Sequence, residues 1–480
     1  MITTKNRDSG IILGLMAFAG TLIVYVETMI VPAIPVFIKF FDTTYDNVSW
    51  VITAYIITGT VAAGIFGKLG DVFGKRRVFL ILSLIYAIAV SFGGFATTLD
   101  ELIAIRVIQG IGFGMFPLAY AIINDVVPKR ELALAQGIMS ATFAVGAGIG
   151  LVIGAYITEY FGWQWSYHSA IPVAFALFIL SYFYLKDYAE PVREKIDFAG
   201  VALLGIPLVF LIFGLSEGQT YGWTSITIIS MFILSGILFY IFVRYESNAE
   251  NPFINIQLVR KRNVLIANFV GLFAMSGMYF LFFTVPTLLQ DPEPAGFGKT
   301  ILESGIIMLP ATVMAMVSAP LASLETEKKG PKASMITGLS IGLISFIMLI
   351  FFRSTIFDII YAAVVLGIGF SFILVGVINL LLISTPNERA GEATGMNTVF
   401  REIGMSIAPA IAGSIESMYS VPVIISILPY SMGSLNYIPV FYDFPSSRAF
   451  TMVYIIGIIF VIISIGISSL IKNTRGELNE

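Results

Sequence analysis

Cysteine is absent from the 480 residues, histidine occurs once, and charged side chains make up only 12%. The missing thiols exclude disulfides, thiolate metal sites and cysteine nucleophiles. A net charge of −3 gives no electrostatic purchase on nucleic acid. Charged residues form about a quarter of an ordinary soluble domain, so this chain has too few to cover a water-facing surface. No nucleophile stands with a base, no ligand cluster marks a metal, and no glycine loop would cradle a phosphate, so neither an enzyme nor a bound cofactor is expected. What is present is apolar: 57% of the side chains are hydrophobic and the mean hydropathy is +0.91. At about 20 apolar residues per bilayer crossing, that supplies on the order of fourteen spans.

Apolar runs bounded by charge, proline or glycine predict spans near 11–38, 47–69, 77–97, 101–123, 133–158, 165–185, 197–216, 223–243, 263–289, 302–324, 333–352, 356–384, 392–418 and 448–471. The first exceeds the roughly 7–15 residues of a signal-peptide core and is read as a retained span. With the N-terminus inside, four of the 27 basic residues, Lys39, Lys299, Arg353 and Arg448, face outward, Arg106 and Arg401 fall within spans, and all the rest lie inside. That bias predicts a multi-pass cell-membrane protein with both termini cytoplasmic. Trp50, Trp163, Trp165 and Trp223 come at outer span ends, where an amphipathic ring suits the headgroup layer. The outer segment 417–447, rich in Tyr, Pro and Ile, is too short in its apolar pieces to cross; it reads as a cap on the outer mouth or as a surface loop.

An internal repeat sets the architecture. At a fixed offset of 258 residues, Pro128 meets Pro386, Ala135 meets Ala393, Gly137 meets Gly395 and Gly146 meets Gly404, while Gly150 and Gly154 meet Ala408 and Ala412. Gly-Ile-Gly-Phe occurs at 110–113 and again at 367–370. The expected fold is an all-α integral membrane protein: a six-helix bundle over residues 1–190, two inserted transmembrane helices over 191–262, and a second six-helix bundle over 263–480. Parallel halves with a substrate site between them are a transporter arrangement.

Between spans 2 and 3 stands Gly67-Lys-Leu-Gly70-Asp71-Val-Phe-Gly74-Lys75-Arg76-Arg77, a tight turn with one acid among cations. It resembles the loop signature of the major facilitator superfamily, G-x-L-a-D-r-x-G-r-k, and the resemblance extends over essentially the whole chain. In that family the acid helps to latch the cytoplasmic side. Here Asp71 is expected to face the start of span 13 near Gly391, a gain of about 0.3–1 kcal/mol from the helix dipole. Arg106-Val-Ile-Gln109-Gly110 in span 4 is similar to the family's R-v-x-Q-G motif of proton-coupled members. An Arg at that depth costs at least about 2.5 kcal/mol and needs a counter-charge or water. The alternative is an Arg that snorkels or braces helices.

Span 5 aligns Gly146, Gly150 and Gly154 on one stripe, a surface for close helix packing. It resembles the antiporter signature G-x8-G-x3-G-P-x2-G-G, except that Leu151 replaces the proline and Ala155 the last glycine; the repeat pairs Leu151 with Pro409. Fourteen spans, Trp163-Gln-Trp165 followed by Pro172, and Ile196-Asp-Phe-Ala-Gly200 together resemble the fourteen-helix drug:proton antiporter branch, with Gln164 and Ala170 in place of the usual Arg and Asn. In span 1, Val26-Glu27-Thr28-Met-Ile-Val-Pro-Ala-Ile-Pro35 is similar to the branch's D-x-T-I-V-N-V-A-L-P, with the acid one residue later. Glu27 is the only carboxylate deep in a span of the first half, and such groups mark proton pathways. It is the expected coupling residue, with Arg106 beside it; a permanent structural pair of the two is the alternative. Arg401 and Glu402 in span 13 form a second expected proton-coupling site, their side chains about 100° apart on the helix.

On span 9, Asn268, Met275 and Tyr279 share a helical stripe, a wall of methionine and aromatic side chains that accepts varied shapes. The family's cavity logic adds Gln109, Met115, Tyr120 and Asn379. The resemblance implies a monomeric secondary transporter driven by the proton gradient, exporting amphipathic small molecules by alternating access, with protons and lipid as its other partners. The absent span 5 proline leaves open a facilitator or proton symporter for one metabolite. A membrane receptor without transport is the reading from another class.

Overall fold

Apolar runs in hydrocarbon find no water for their amides, so each must close its hydrogen bonds within itself as a helix. In the computed structural model, which describes residues 2–33, 36–37, 40–43, 45–188, 197–249, 252, 254, 256–432 and 435–472, the first half comprises α1 (Ile2–Thr28), α2 (Tyr45–Phe73), α3 (Lys75–Gly93), α4 (Leu99–Ile111), α5 (Met115–Val126), α6 (Leu132–Phe161) and α7 (Trp163–Tyr184). A 3-10 turn, Gly112–Gly114, joins α4 and α5 into one long rod. Then follow α8 (Phe198–Tyr221), α9 (Ile226–Glu246) and the single turn α10 (Ile256–Val259). The second half holds α11 (Arg262–Gln290), α12 (Ile301–Lys329), α13 (Pro331–Phe351), α14 (Ile356–Ile383), α15 (Ala390–Met418) and α16 (Ser447–Ser469).

Among the described residues, twelve helices are long and apolar enough to cross a membrane, where the sequence predicts fourteen spans. The two that fall short have physical reasons. The apolar stretch of α8 is only Ala199–Leu215, and α15 is interrupted by Glu392, Arg401, Glu402 and Glu416. The first span also differs from the predicted 11–38, because α1 stops at Thr28 and a 3-10 turn, Val31–Ala33, follows. Pro32 has no N–H to continue the helix, and its ring disfavours helical backbone before it. Glu27 therefore sits in the last turn of α1 rather than in mid-helix. Trp163, the first residue of α7, is 2% exposed, ringed by Phe37, Phe40, Phe41 and Tyr167.

The segment between α15 and α16 pairs as an antiparallel hairpin, β1 (Ser420–Met432) with β2 (Leu435–Pro445), in a register that sets Val421 against Phe444 and Leu428 against Ile438. Its β-branched and aromatic residues suit a pleated strand. Two strands alone have only outer edges, which is where proline is tolerated.

The 258-residue repeat is carried through to backbone geometry. The 3-10 turns Lys129–Glu131 and Asn387–Arg389 and the starts of α6 and α15 all keep that offset. The paired glycines face equivalent neighbours. A Cβ at Gly146 would lie 2.7 Å from the Thr21 carbonyl oxygen of α1, and one at Gly404 would run into the Leu272 carbonyl of α11. Gly150 and Gly154 likewise lie against Thr28 and Met29 of α1. Gly137 and Gly395 turn toward the opposite half: a Cβ there would meet Ser323 of α12 and, at 2.6 Å, the Ala63 carbonyl of α2. So α6 packs on α12 and α15 packs on α2, each helix touching its own first helix further along.

One apolar core fills the first half, and Met275, Phe370 and Met405 reach into it from the second. Another core joins α11 to α16. A third, smaller cluster forms where Leu204 and Leu208 of α8 and Phe242 of α9 meet Val61 and Ile65 of α2 and Met396 and Val399 of α15. Trp223, in the turn between α8 and α9, donates from Nε1 to Ser414 Oγ at 2.6 Å. The ends of α11, α13 and α16 are tied together where Arg262 and Lys332 donate to the Leu470 and Ser469 carbonyls at 2.9 and 2.7 Å. Cations suit a helix C-terminus.

Gly404→Ala should lower the melting temperature of the purified protein by an amount equivalent to about 1–3 kcal/mol, since the added methyl meets backbone that cannot yield. Gly14→Ala, where a Cβ has open space, should cause no loss in the same scan.

Candidate functional site

At the end of the bundle that carries the basic loops, α15 begins without a cap of its own, because the Arg389 side chain makes no capping bond. The first N–H groups of a helix need an acceptor. Asp71, at the end of α2 in the other half, provides it: its Oδ2 accepts from the Glu392 amide at 2.9 Å. Gly391 makes the approach possible, as a Cβ there would lie 2.5 Å from the Gly67 carbonyl and 2.7 Å from Asp71 Oδ1. A Cβ at Gly67 would collide with the Gly391 carbonyl, and one at Gly70 with Leu118. Gly74 turns the chain at φ 95°, a left-handed conformation that side chains resist. Lys75 lies 3.7 Å from Asp71 and 2.7 Å from Asp125 of α5. Arg76 donates to the Leu185 and Tyr182 carbonyls at the end of α7, at 2.6 and 3.2 Å, while Arg77 is exposed. Of the seven motif residues, Gly67 and Asp71 make the contact between halves, while Gly70, Lys75 and Arg76 fix the turn to α5 and α7 of the first half.

In the middle of the first half, Arg106 is fully buried. Its Nε donates to the Val51 carbonyl at 2.9 Å, and its Nη1 to the Val26 carbonyl and Gln109 Oε1 at 3.3 and 3.2 Å. The guanidinium lies over the Tyr55 ring, 4.1 Å from its centroid. Val26 belongs to the last turn of α1, whose carbonyls lose their helical partners at the break, so Arg106 caps that end with a cation. Glu27 is half-buried next to it. The two charges act on one another, yet among the described residues Glu27 has no hydrogen bond or ion pair.

The second half brings α15 to the same place. Arg401 is buried; its Nη2 donates to Thr398 Oγ1 at 3.2 Å and its guanidinium lies 5.4 Å from the Phe143 ring of α6. Glu402 is 4% exposed and its carboxylate, like that of Glu27, has no hydrogen-bond or ion-pair partner among the described residues. Its carboxylate is close enough to Glu27 for the two charges to repel, although they stand in different halves. Tyr55 and Tyr279 both lie in the field of this pair.

The expected cavity residues divide. Met275 and Tyr279 of α11 face the first half's core, with Tyr279 stacked on Phe282 at 5.9 Å between centroids, and Tyr120 of α5 lies near Arg401. Gln109 instead turns away to α3, donating to the Ala89 carbonyl at 3.2 Å. Met115 is wholly enclosed in packed core. Asn268 accepts from Asn397 Nδ2 at 3.1 Å, and Asn379 donates to Val375 of its own helix at 2.8 Å. Tyr55, Phe143, Asn397 and Asp125 escaped the sequence reading. Only Phe143 carried a signal, since it is the residue that the 258 offset pairs with Arg401.

Comparison with known proteins agrees with this geometry. The sequence profile of the Major Facilitator Superfamily matches residues 16–409. Multidrug resistance protein 3 of Bacillus subtilis (strain 168) is 28% identical over 384 residues, 78% of this chain and 73% of that protein. The tetracenomycin C resistance and export protein of Streptomyces glaucescens is 25% identical over 403 residues, 82% of this chain and 73% of its own length. The crystal structure of the human organic anion transporter MFSD10 (TETRAN) shares the fold with a TM-score of 0.63 at 14% identity, covering 94% of this chain and 99% of that one. A profile match over most of the length, on a helical fold of two related halves, means that the chain belongs to the Major Facilitator Superfamily and is a multi-pass membrane transporter, not an enzyme.

Proposed function

We propose that this transporter exports amphipathic, cationic small molecules in exchange for protons, by alternating access between its two halves. The single observation that carries the reading is the pair of carboxylates, Glu27 and Glu402, contributed by different halves, near enough for their charges to act on one another and bonded to neither of the two buried arginines. Two like charges at that depth repel strongly, so a bound proton on either draws the halves together, and a bound cationic substrate does the same by neutralising them. Proton and substrate then compete for one site, which is the condition for antiport. Met275, Tyr279 and Phe282 furnish the adaptable apolar wall beside it. The names of the multidrug-resistance and export relatives point in the same direction.

In this scheme all fourteen long helices cross the cell membrane, α8 and α15 included, because the charged side chains of α15, Glu392, Arg401, Glu402 and Glu416, are buried within the protein and away from lipid. Both termini and the Asp71 contact are cytoplasmic, and that contact holds the cytoplasmic mouth shut while the opposite one opens. The unit is a monomer in a lipid bilayer, powered by the proton gradient and needing no cofactor.

In reconstituted vesicles, an imposed pH gradient should drive movement of a fluorescent hydrophobic cation, and Glu27→Gln should reduce that movement at least about tenfold, the equivalent of ~1.4 kcal/mol. Movement that survives the substitution unchanged would point instead to an uncoupled facilitator. For the cytoplasmic contact, Ala390→Cys introduces the protein's only thiol at a position now 1% exposed. Its labelling by a water-soluble maleimide should speed up several-fold when Asp71→Asn is added, because the amide lacks the negative charge that the positive end of the helix dipole attracts.

A further inference from the structure

At the end of the bundle that carries the basic loops, most cations are answered by acids or carbonyls. Lys75 has Asp71 and Asp125, Arg389 has Glu392 at 3.1 Å, Lys329 has Glu325 at 3.0 Å, and Arg76 is bound to the end of α7. The run Arg260-Lys261-Arg262, where α11 begins, differs. No acid occurs in the sequence between Glu250 and Asp291. All three residues are exposed. The side chains of Arg260 and Lys261 have no hydrogen-bond or ion-pair partner among the described residues. Arg262 donates only through Nε, to the Leu470 carbonyl at 2.9 Å, which leaves the rest of its guanidinium free.

The neighbouring elements add cations here and no exposed carboxylate. Lys332, at the start of α13, donates to the Ser469 carbonyl at 2.7 Å, and the backbone amide of Lys472 donates to Asn263 Oδ1 at 3.3 Å. Neither α13 nor α16 contains an acid. Glu246, at the end of α9, is buried and accepts from the Ile254 amide at 3.1 Å. The apolar run of α11 starts at Val264, so the three cations stand at the headgroup depth of a spanning helix. Leu265 and Phe269 follow Lys261 at steps of four residues, on one face, and each is 37% exposed. Phe269 packs edge-on against Phe400 of α15, 5.5 Å between centroids, and Phe400 belongs to the cluster that α8 and α10 make with α15. An outward apolar face is ordinary for such a helix; a run of unanswered cations at its foot is not.

We propose that the start of α11 is a binding site for an anionic phospholipid of the adjoining leaflet. Its phosphate is held by Arg260, Lys261 and the free edge of Arg262, and an acyl chain lies along Leu265 and Phe269 toward Phe400. Charge selects the headgroup: a zwitterionic lipid would bring a further cation to a place that has no exposed acid to receive it. The apolar stripe selects a lipid over free phosphate, which gains nothing from Leu265 or Phe269.

The test is a thermal melt of the full-length detergent-solubilised protein with added phosphatidylglycerol or phosphatidylcholine. It needs no gradient or substrate, so its outcome is independent of the export reading. Phosphatidylglycerol should raise the melting temperature of the parent and phosphatidylcholine should leave it unchanged. Arg260→Ala combined with Lys261→Ala should raise the phosphatidylglycerol concentration needed for half of that shift at least about tenfold. Lys129→Ala combined with Arg130→Ala, which removes two exposed cations next to Glu131, should respond as the parent does. Equal losses in the two double variants would mean general charge attraction and overturn the proposal. So would an equal shift with phosphatidylcholine, or one reproduced by inorganic phosphate, which would make this a free-anion site. Native mass spectra test the parent alone: from an equal mixture of the two lipids it should retain phosphatidylglycerol, and retention without preference overturns the proposal as well.

Discussion

Hydrocarbon offers an ionised side chain nothing, so each charge inside this bundle has to be answered by the protein itself. Arg106 and Arg401 answer in two currencies, carbonyl oxygens and aromatic faces. Arg106 is bound to the broken end of α1 and to α2 through backbone oxygen, with Tyr55 beneath it. Arg401 leans on Phe143 from the other half. Neither cation is bonded to the nearby acids: the side chains of Glu27 and Glu402 have no bonds of their own, and Arg106 Nη2 and Arg401 Nε and Nη1 are left without acceptors. A carboxylate locked to a guanidinium would be a strut; one left unpaired is available to bind and release something.

The 258-residue offset between the two halves matches contacts in some places and departs from equivalence in others. Glycines at matching positions let α6 and α15 lie close to the first helix of their own half and to the second half's or first half's facing helix. Yet one copy places Phe143 where the other places Arg401, and these two residues meet across the seam. The unlike residues at this register position form a complementary pair, a ring and a cation, in which one half supplies the charge and the other the face that steadies it.

Much of this was readable in the chain beforehand. Helix positions followed from apolar runs, and the spacing of Pro128, Gly137 and Gly146 from their counterparts fixed the duplication. The Gly67-to-Arg77 loop pointed to the contact at the start of α15 through its resemblance to the family's loop signature. The early end of α1 was less visible, since hydropathy does not register a missing N–H at Pro32. Gln109 and Asn379 misled for a different reason: an amide on an apolar helix has the same appearance whether it faces a cavity or closes on a neighbouring carbonyl. The aromatic supports of the arginines carried no mark, as Tyr55 among many rings is distinguished only by what lies above it. The strand pairing of residues 420–445 required contacts between segments that composition alone does not order.

The rod α15 is gripped at three heights: by Asp71 at its foot, by Phe143 at its waist, and by Trp223 near its crown. Helical backbone is stiff over such a length, about 43 Å at ~1.5 Å per residue. Slackening any one grip therefore loads the other two, as with a lever held in three hands. A disturbance arriving at either mouth is transmitted along this one element, without any relay of intermediate parts.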